Sequence, residues 1–363
     1  FEHGERPTGL VSEAVIQSWA RCQQQRQRPD QRVSFEPVTT SRVHGVLRRN
    51  RLLLQVAAAE MRELGDTLAG TTAGALLLDT QGVVMHSTWE RPLADAPVMN
   101  IASRVGVDLS EAAVGTTAPG VVLRCGQPVR VAGAEHFAHD VHRMQCAAAP
   151  VRDGLGRLVA VLDLSIEGRT FGFDAAMLVE RYARGIENRL LQALAHEQVV
   201  VQLQVDAALL AGPWAALVGV GEDGRVAWLN GAAAALLGQT SMWSAPIGIE
   251  AEALLGLALP GLRAACDAAV PQRLNLPSGL GVWCRCRRVG EAAFDEAPAS
   301  LPHPVTAAAP PSTAEEPRTL HDADRELVRR TLRECGGNVS QAARRLGVSR
   351  GLVYRHLRAA GDT

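Results

Sequence analysis

Residues Ala215 to Val220, the polar run Glu222-Asp223-Gly224 and then Arg225 to Leu229 alternate as strand, tight turn and strand. Asn230 follows and stands before a run of alanines and leucines that the pattern predicts as a helix. An earlier stretch repeats the theme, with Gly74 to Leu78, the turn Asp79-Thr80-Gln81-Gly82 and then Val83 to His86. Each predicts the opening hairpin of an α/β domain. The period changes near the C-terminus. Asp322 to Glu334 carries Val328 and Leu332 four apart, predicting a first helix that Gly336-Gly337 ends. Asn338 and Ser340 can cap a second helix, Gln341 to Leu346, which buries Ala343 and Leu346; Gly347 then supplies a tight turn and Val348 fills the gap between helices. Ser349 caps a third helix, Arg350 to Ala360, with Val353 and Leu357 facing inward. Between these regimes, residues 290–318 carry six prolines and few aromatics, the composition of a semi-extended linker.

Length and composition fit that division. The 363 residues, 47% hydrophobic, suffice for two or three domains. Net charge is −1, yet residues 318–363 hold ten arginines against five acidic residues, so the basic end is local and marks a nucleic-acid face. All basic residues other than histidine are arginine. Without a lysine, the phosphate-binding G-x-x-x-x-G-K-[ST] loop is excluded. Seven cysteines without framework spacing predict reduced thiols rather than a disulfide scaffold. No secretory pattern is present, and uncharged stretches such as Val226 to Ile249 are broken by polar residues and proline, so a cytoplasmic protein with no membrane partner is expected. The sequence starts at Phe1 rather than Met, and a few missing native residues are expected before it.

The C-terminal helices predict a helix-turn-helix. From Val339 to Arg358 there are five arginines and no carboxylate, the one-sided charge that contact with guanine edges or phosphates demands. Arg350, Leu352, Arg355, His356 and Arg358 point away from the helical interface and, with the capping Ser349, are the candidate DNA contacts. The run Gly337-Asn338-Val339-Ser340-Gln341-Ala342-Ala343-Arg344-Arg345-Leu346-Gly347-Val348-Ser349-Arg350, followed by Val353-Tyr354-Arg355, resembles the Fis-type DNA-binding domain, with Leu352 where that family usually has threonine. Double-stranded DNA is the expected partner. One short helix reads few base pairs, so a homodimer on an inverted-repeat operator is expected, with RNA polymerase a further candidate partner.

Upstream, Gly115-Thr116-Thr117-Ala118, Pro128-Val129, Gly133-Ala134-Glu135-His136-Phe137, Cys146 to Asp153, Gly156-Arg157-Leu158 and Val161 to Ser165 resemble the GAF sensor of the acetoin-catabolism activator family. Ile186 to Leu190 match its closing helix, and Ser18-Trp19-Ala20-Arg21-Cys22 match the helix that opens those regulators. The later hairpin, with Gly221 to Val226 and Asn230, resembles a PAS domain. The resulting expectation is an α+β multidomain chain with GAF and PAS-like antiparallel sheets and an all-α C-terminal module. Its parts are an N-terminal helical segment (1–54), a GAF sensor (55–195), a PAS-like domain (206–289), a linker (290–318) and the helix-turn-helix (319–363). Members of the resembled family carry an AAA+ ATPase that drives sigma-54 polymerase, between sensor and DNA module. Here a PAS-like segment occupies that place, so the resemblance implies sensing and DNA binding without ATP-driven activation.

The resemblance also places a small-organic-effector pocket, lined in part by Trp89, Thr116, His136, Phe137, His142 and Cys146. His136, His139, His142 and Cys146 have ligand-type spacing for zinc or iron, but a pocket wall or polar loop is the preferred reading, and neither metal nor cofactor is expected. Cys284 and Cys286 fall on one face of an expected strand as core residues. Asp153 and Asp163 flank a Gly-rich hairpin, where turn geometry and solvent suffice to explain them. No nucleophile elbow, Ser/His/Asp signature or acid pair stands out, so an enzyme is not expected. Two other readings stay open: an interaction module acting with an ATPase-containing paralogue, and a GAF-type methionine sulfoxide reductase.

Overall fold

Both expected hairpins form, and each lies at one side of a five-stranded antiparallel sheet. The computed structural model describes residues 9–89, 92–239 and 248–290 and, nearer the C-terminus, Thr331, Asn338, Val339, Gln341 and Ala343. The chain divides into two units, Phe1–Glu296 and Ala297–Thr363.

The first unit begins with helices α1 (Glu13–Gln24), α2 (Thr40–Arg49) and α3 (Arg51–Leu68). Strands β1 (Ala73–Leu78) and β2 (Val84–Ser87) make the first hairpin, in which Asp79 Oδ1 accepts from the Gln81 and Val83 amides and Gly82 takes a φ of 90° that L side chains resist. Helices α4 (Pro97–Ala102), α5 (Glu111–Val114) and α6 (Ala118–Cys125) follow, then β3 (Val129–Ala132), β4 (Met144–Arg152), β5 (Leu158–Glu167) and the long helix α7 (Ala175–Leu194). The strand order is β2-β1-β5-β4-β3.

This sheet is covered on both faces. Ala75 and Leu77, Ala147 and Ala149, and Leu162, Leu164 and Ile166 join Leu53, Met61 and Leu64 of α3 and Val179 and Ile186 of α7 in one core. The alternate residues Leu76, Leu78, Cys146, Ala148 and Val161 pack with Met99 of α4, Val114 of α5, Val121 and Val122 of α6 and Val15 of α1. Double coverage is why β1 is buried at all six positions and reads as an unbroken apolar run rather than an alternating one.

A second sheet contains β6 (Gln198–Gln204), β7 (Ala216–Val220) and β8 (Val226–Leu229), and, after helices α8 (Gly231–Leu236), α9 (Ala251–Leu255) and α10 (Leu259–Ala265), β9 (Gln272–Asn275) and β10 (Gly281–Val289). Its order is β8-β7-β6-β10-β9, so its central strand comes first in the chain, whereas in the first sheet the central strand β5 comes last. That central strand, β6, precedes residue 206, where the sequence pattern starts the second sheet domain. The architecture is thus α+β with two antiparallel sheets.

The two sheets meet through α7. Asn230 caps α8 by accepting from the Ala233 amide and also from the Leu217 amide, while its Nδ2 donates to Asn188 Oδ1 of α7 at 2.8 Å and to the Ala215 carbonyl. Asn188 Nδ2 in turn donates to the Pro213 carbonyl. Trp228 fills the space above Gly219 and Gly154, where an added Cβ would approach it to 2.2 Å and 2.7 Å. Glycine at those points is a packing requirement. In the second unit, Asn338 Oδ1 accepts from the Gln341 amide, the expected cap, and Ala343 is buried. Among the described residues no helix is long and apolar enough to cross a membrane.

Candidate functional site

Strand β5 carries the residues that shape the site. Its period of two sends Leu162, Leu164 and Ile166 toward α3 and α7 and sends Val161, Asp163, Ser165 and Glu167 to the opposite face. A half-exposed strand would place those polar residues in water. Here the layer built from α1, α4, α5 and α6 lies over them, and Asp163 is 1% exposed. The expectation that turn and solvent explain Asp163 is therefore corrected, because the residue lies mid-strand between Leu76 of β1 and Ala148 of β4. Asp153 does occupy the turn, accepting from the Leu155 and Arg157 amides.

Register then assembles a polar chain. Cys146 of β4 stands opposite Ser165 of β5, and His136 follows the 3₁₀ turn Gly133–Glu135. Ser165 Oγ lies 2.6 Å from Asp163 Oδ2 and 3.1 Å from Cys146 Sγ, which is 3.5 Å from His136 Nε2. His136 Nδ1 lies 3.0 Å from the Gly133 carbonyl. A carbonyl can only accept, so Nδ1 carries the ring proton and Nε2 is an acceptor. Burial holds His136 neutral, lowering its pKa to about 4, and pushes the Cys146 thiol up, so the S–H donates to Nε2.

The Ser165 proton can serve either Cys146 or Asp163 but not both. With Asp163 protonated on Oδ2, every link has a donor: Asp163 to Ser165, Ser165 to Cys146, Cys146 to His136, and His136 to Gly133. Burial raises Asp163 to about 7, against the lowering effect of the Ser165 bond. Asp163 Oδ1 has no hydrogen-bond partner, and neither does Glu167 Oε1. Glu167 Oε2 accepts from the Val98 and Met99 amides at the start of α4.

The expected pocket residues separate into groups. His136 and Cys146 belong to the chain, joined by Ser165 and Asp163, which the sequence reading had not assigned to the pocket. His142 touches it from outside, with Nε2 3.1 Å from the His136 carbonyl. Trp89 lies over Gly74, the β1 partner of Ser165; a Cβ there would come within 3.0 Å of the indole and 3.1 Å of Met99. The Trp89 indole N–H donates to Asn100 Oδ1. Thr116 and Phe137 make other contacts. Thr116 Oγ1 is 2.8 Å from Ser18 Oγ and within reach of Cys22 of α1, while Phe137 packs beside Gly115.

Helix α1 is clamped onto this layer by the residues of its motif. Besides the Ser18 bond, the Trp19 indole donates to the Glu135 carbonyl at 2.8 Å. Arg21 makes a bidentate pair with buried Glu111 at 2.6 and 2.7 Å. Further along, the His139 amide donates to the Pro29 carbonyl. His139 itself is exposed, and among the described residues no group of three or more His, Cys, Asp or Glu side chains is placed to hold a metal ion. In the second sheet, Cys284 and Cys286 lie buried in the core with sulfurs 3.5 Å apart. The candidate DNA contacts Ser349, Arg350, Leu352, Arg355, His356 and Arg358 lie outside the described residues, as does 291–318 of the expected linker.

A family profile described as "MimR, N-terminal domain" matches residues 4–186, half of the chain, taking in α1, the first sheet and most of α7. The chain belongs to the MimR N-terminal-domain family. The matched span joins the N-terminal helical segment and the expected GAF region, consistent with the clamp between α1 and the sheet layer. A second profile, "Bacterial regulatory protein, Fis family", matches residues 319–359, so this MimR-type sensor region is joined to a Fis-type helix-turn-helix. The family thereby places the chain among transcriptional regulators.

Among known proteins, the chain is 28% identical over 227 residues to the acetoin catabolism regulatory protein of Cupriavidus necator, covering 61% of this chain and 34% of that one. It is 28% identical over 163 residues to the acetoin dehydrogenase operon transcriptional activator AcoR of Bacillus subtilis, covering 43% and 27% respectively. It thus spans about a third or less of these relatives. The solved Escherichia coli DhaR(N)-DhaL complex aligns at a TM-score of 0.46 and 18% identity, covering 77% of this chain and 100% of that one.

Proposed function

We propose that this protein is a cytoplasmic, non-enzymatic transcriptional regulator in which the first sheet, a GAF-type domain, holds a small organic effector and thereby alters operator binding by a homodimer. The observation that carries the reading is the buried chain from His136 to Asp163, which ends on an acceptor without a partner, in a sensor-family domain joined to a Fis-type helix-turn-helix. An unsatisfied buried acceptor costs about 1–3 kcal/mol, which a ligand hydrogen bond would recover. The second sheet, PAS-like in its opening hairpin and asparagine-capped helix, is bonded to α7 through Asn188–Asn230, which supports a route for passing a change in α7 onward.

The mechanism is a population shift. An effector bound in one dimer arrangement more tightly than in another changes the spacing of two DNA-reading helices, and a tenfold preference needs only about 1.4 kcal/mol. Arg350 and Arg355 are assigned the leading base or phosphate contacts, with Ser349, Leu352, His356 and Arg358 beside them. No lysine is present to form a phosphate-binding loop, so regulation works through promoter occupancy. The test is operator affinity of the full chain, by fluorescence anisotropy, with and without compounds that raise its melting temperature. A stabilising compound that also moves operator affinity is expected. Stabilisation without any such movement would remove the sensor reading.

A further inference from the structure

We infer that Asp163 is the specificity-determining residue of the effector site, its free Oδ1 accepting a hydrogen bond from an uncharged donor, and that the site selects small neutral alcohols over anions and cations. This rests on the proposed effector-sensor reading and names the chemistry of its ligand.

The geometry sets the polarity of the contact. Oδ2 is taken by Ser165, whose hydroxyl connects through Cys146 to His136, so this edge of the carboxyl is already occupied. Oδ1 is buried and without a partner, and an oxygen in that position accepts. The ligand must therefore bring an O–H or N–H.

Charge narrows the class further. An anion would face a carboxyl, a thiol and a neutral imidazole, and among the described residues no cationic side chain bonds to any of the four chain members. A cationic ligand would have to leave water for a wall that includes the aliphatic Leu76, Leu78, Met99, Ala148 and Val161, with Asp163, already bonded to Ser165, as compensation, since the Glu167 carboxyl four residues along the strand is engaged by the Val98 and Met99 amides. A buried ion pair so sparsely hydrogen-bonded does not recover its desolvation cost. A hydroxyl on an apolar body meets both demands, donating to Oδ1 while its carbon frame packs against the aliphatic wall.

The same geometry predicts which substitutions are tolerated. Asparagine reproduces a protonated aspartate: its Nδ2 donates to Ser165 and its Oδ1 stays free as an acceptor. Leucine keeps comparable bulk and removes the acceptor.

The experiment measures binding to the full chain by calorimetry and thermal shift with propanol, butanol and cyclohexanol, each beside its matched carboxylate and ammonium analogue. The parent and Asp163→Asn should bind at least one alcohol with affinities within a few-fold of each other. Asp163→Leu should lose about tenfold, the value of one hydrogen bond of roughly 1.4 kcal/mol. Binding of a carboxylate or ammonium analogue as tightly as its alcohol would overturn the inference. So would loss of alcohol binding in Asp163→Asn, which folds without burying a charge and therefore stays informative if the leucine variant does not fold. A compound that shifts operator affinity but binds Asp163→Leu as it binds the parent overturns this assignment and leaves the sensor reading standing. If no compound stabilises the chain or shifts operator affinity, both fall.

Discussion

Asp163 is the clearest case of a residue whose chemistry is set by what covers it. A carboxyl whose folded pKa is about 7 binds a proton more tightly when folded than when unfolded, so its contribution to stability is complete below the unfolded value near 4 and is lost as pH rises through 7. Glu187, buried on α7 and raised to about 7 by burial, acts in the same direction. His136, lowered to about 4, opposes them, since the unfolded chain takes up its proton first between about 6.5 and 4. Asp163→Asn should therefore gain stability over the parent progressively as pH rises from about 4 to 7, with the full rise in melting temperature above pH 7 and little or none at or below pH 4, measured by calorimetry across that range. An equal shift at both ends of that range would mean that Asp163 does not titrate in the folded protein. The position was hard to read from the sequence because Leu162 to Glu167 alternate apolar and polar, which is also the pattern of a strand with one wet face.

At the scale of elements, the α1 motif and the closing-helix motif were visible as strings, while their partners were not. Arg21 and Glu111 are ninety positions apart and form a bidentate pair whose acid is fully buried. Arg21→Met should destabilise the protein by roughly 1–3 kcal/mol in urea unfolding, because among the described residues Glu111 then keeps only Arg124, at 3.7 Å, as a charged partner. Pairing it with Glu111→Gln should recover part of that loss, and strict additivity would argue against the clamp. The bond between Asn188 and Asn230 joins α7 to the second sheet in the same long-range way. A double-mutant cycle with alanine at both positions should show a coupling of about 0.5–1.5 kcal/mol, and no coupling would mean that the two sheets do not communicate through that bond. Asn230→Ala alone should be the costlier single change, since it also strips the cap from α8 and the partner from the Leu217 amide.

For the whole molecule, the expectation is a regulator that recognises DNA at one end and an effector in the first sheet. Arg350→Ala or Arg355→Ala should each weaken operator binding by about 1–3 kcal/mol if the side chain contacts a base, and should reduce the salt slope by about one unit if it contacts a phosphate. A double variant that binds as tightly as the parent would remove the assignment of the third helix. Purified protein should not hydrolyse ATP, and turnover that survives rigorous removal of contaminants would contradict the reading of the lysine-free chain.

Local rules were sufficient for the hairpins, the asparagine-capped helix after Leu229 and the capped helix beginning after Asn338, because each depends on residues within a few positions of one another. The excess of arginine at the C-terminal end needed no structure either, since charge is a property of composition. Sheet order, the central position of β6 and the burial of Asp163 were decided only by tertiary packing. Each depends on which face a distant element covers, and alternation along one strand carries the identity of its two faces but not what lies on them.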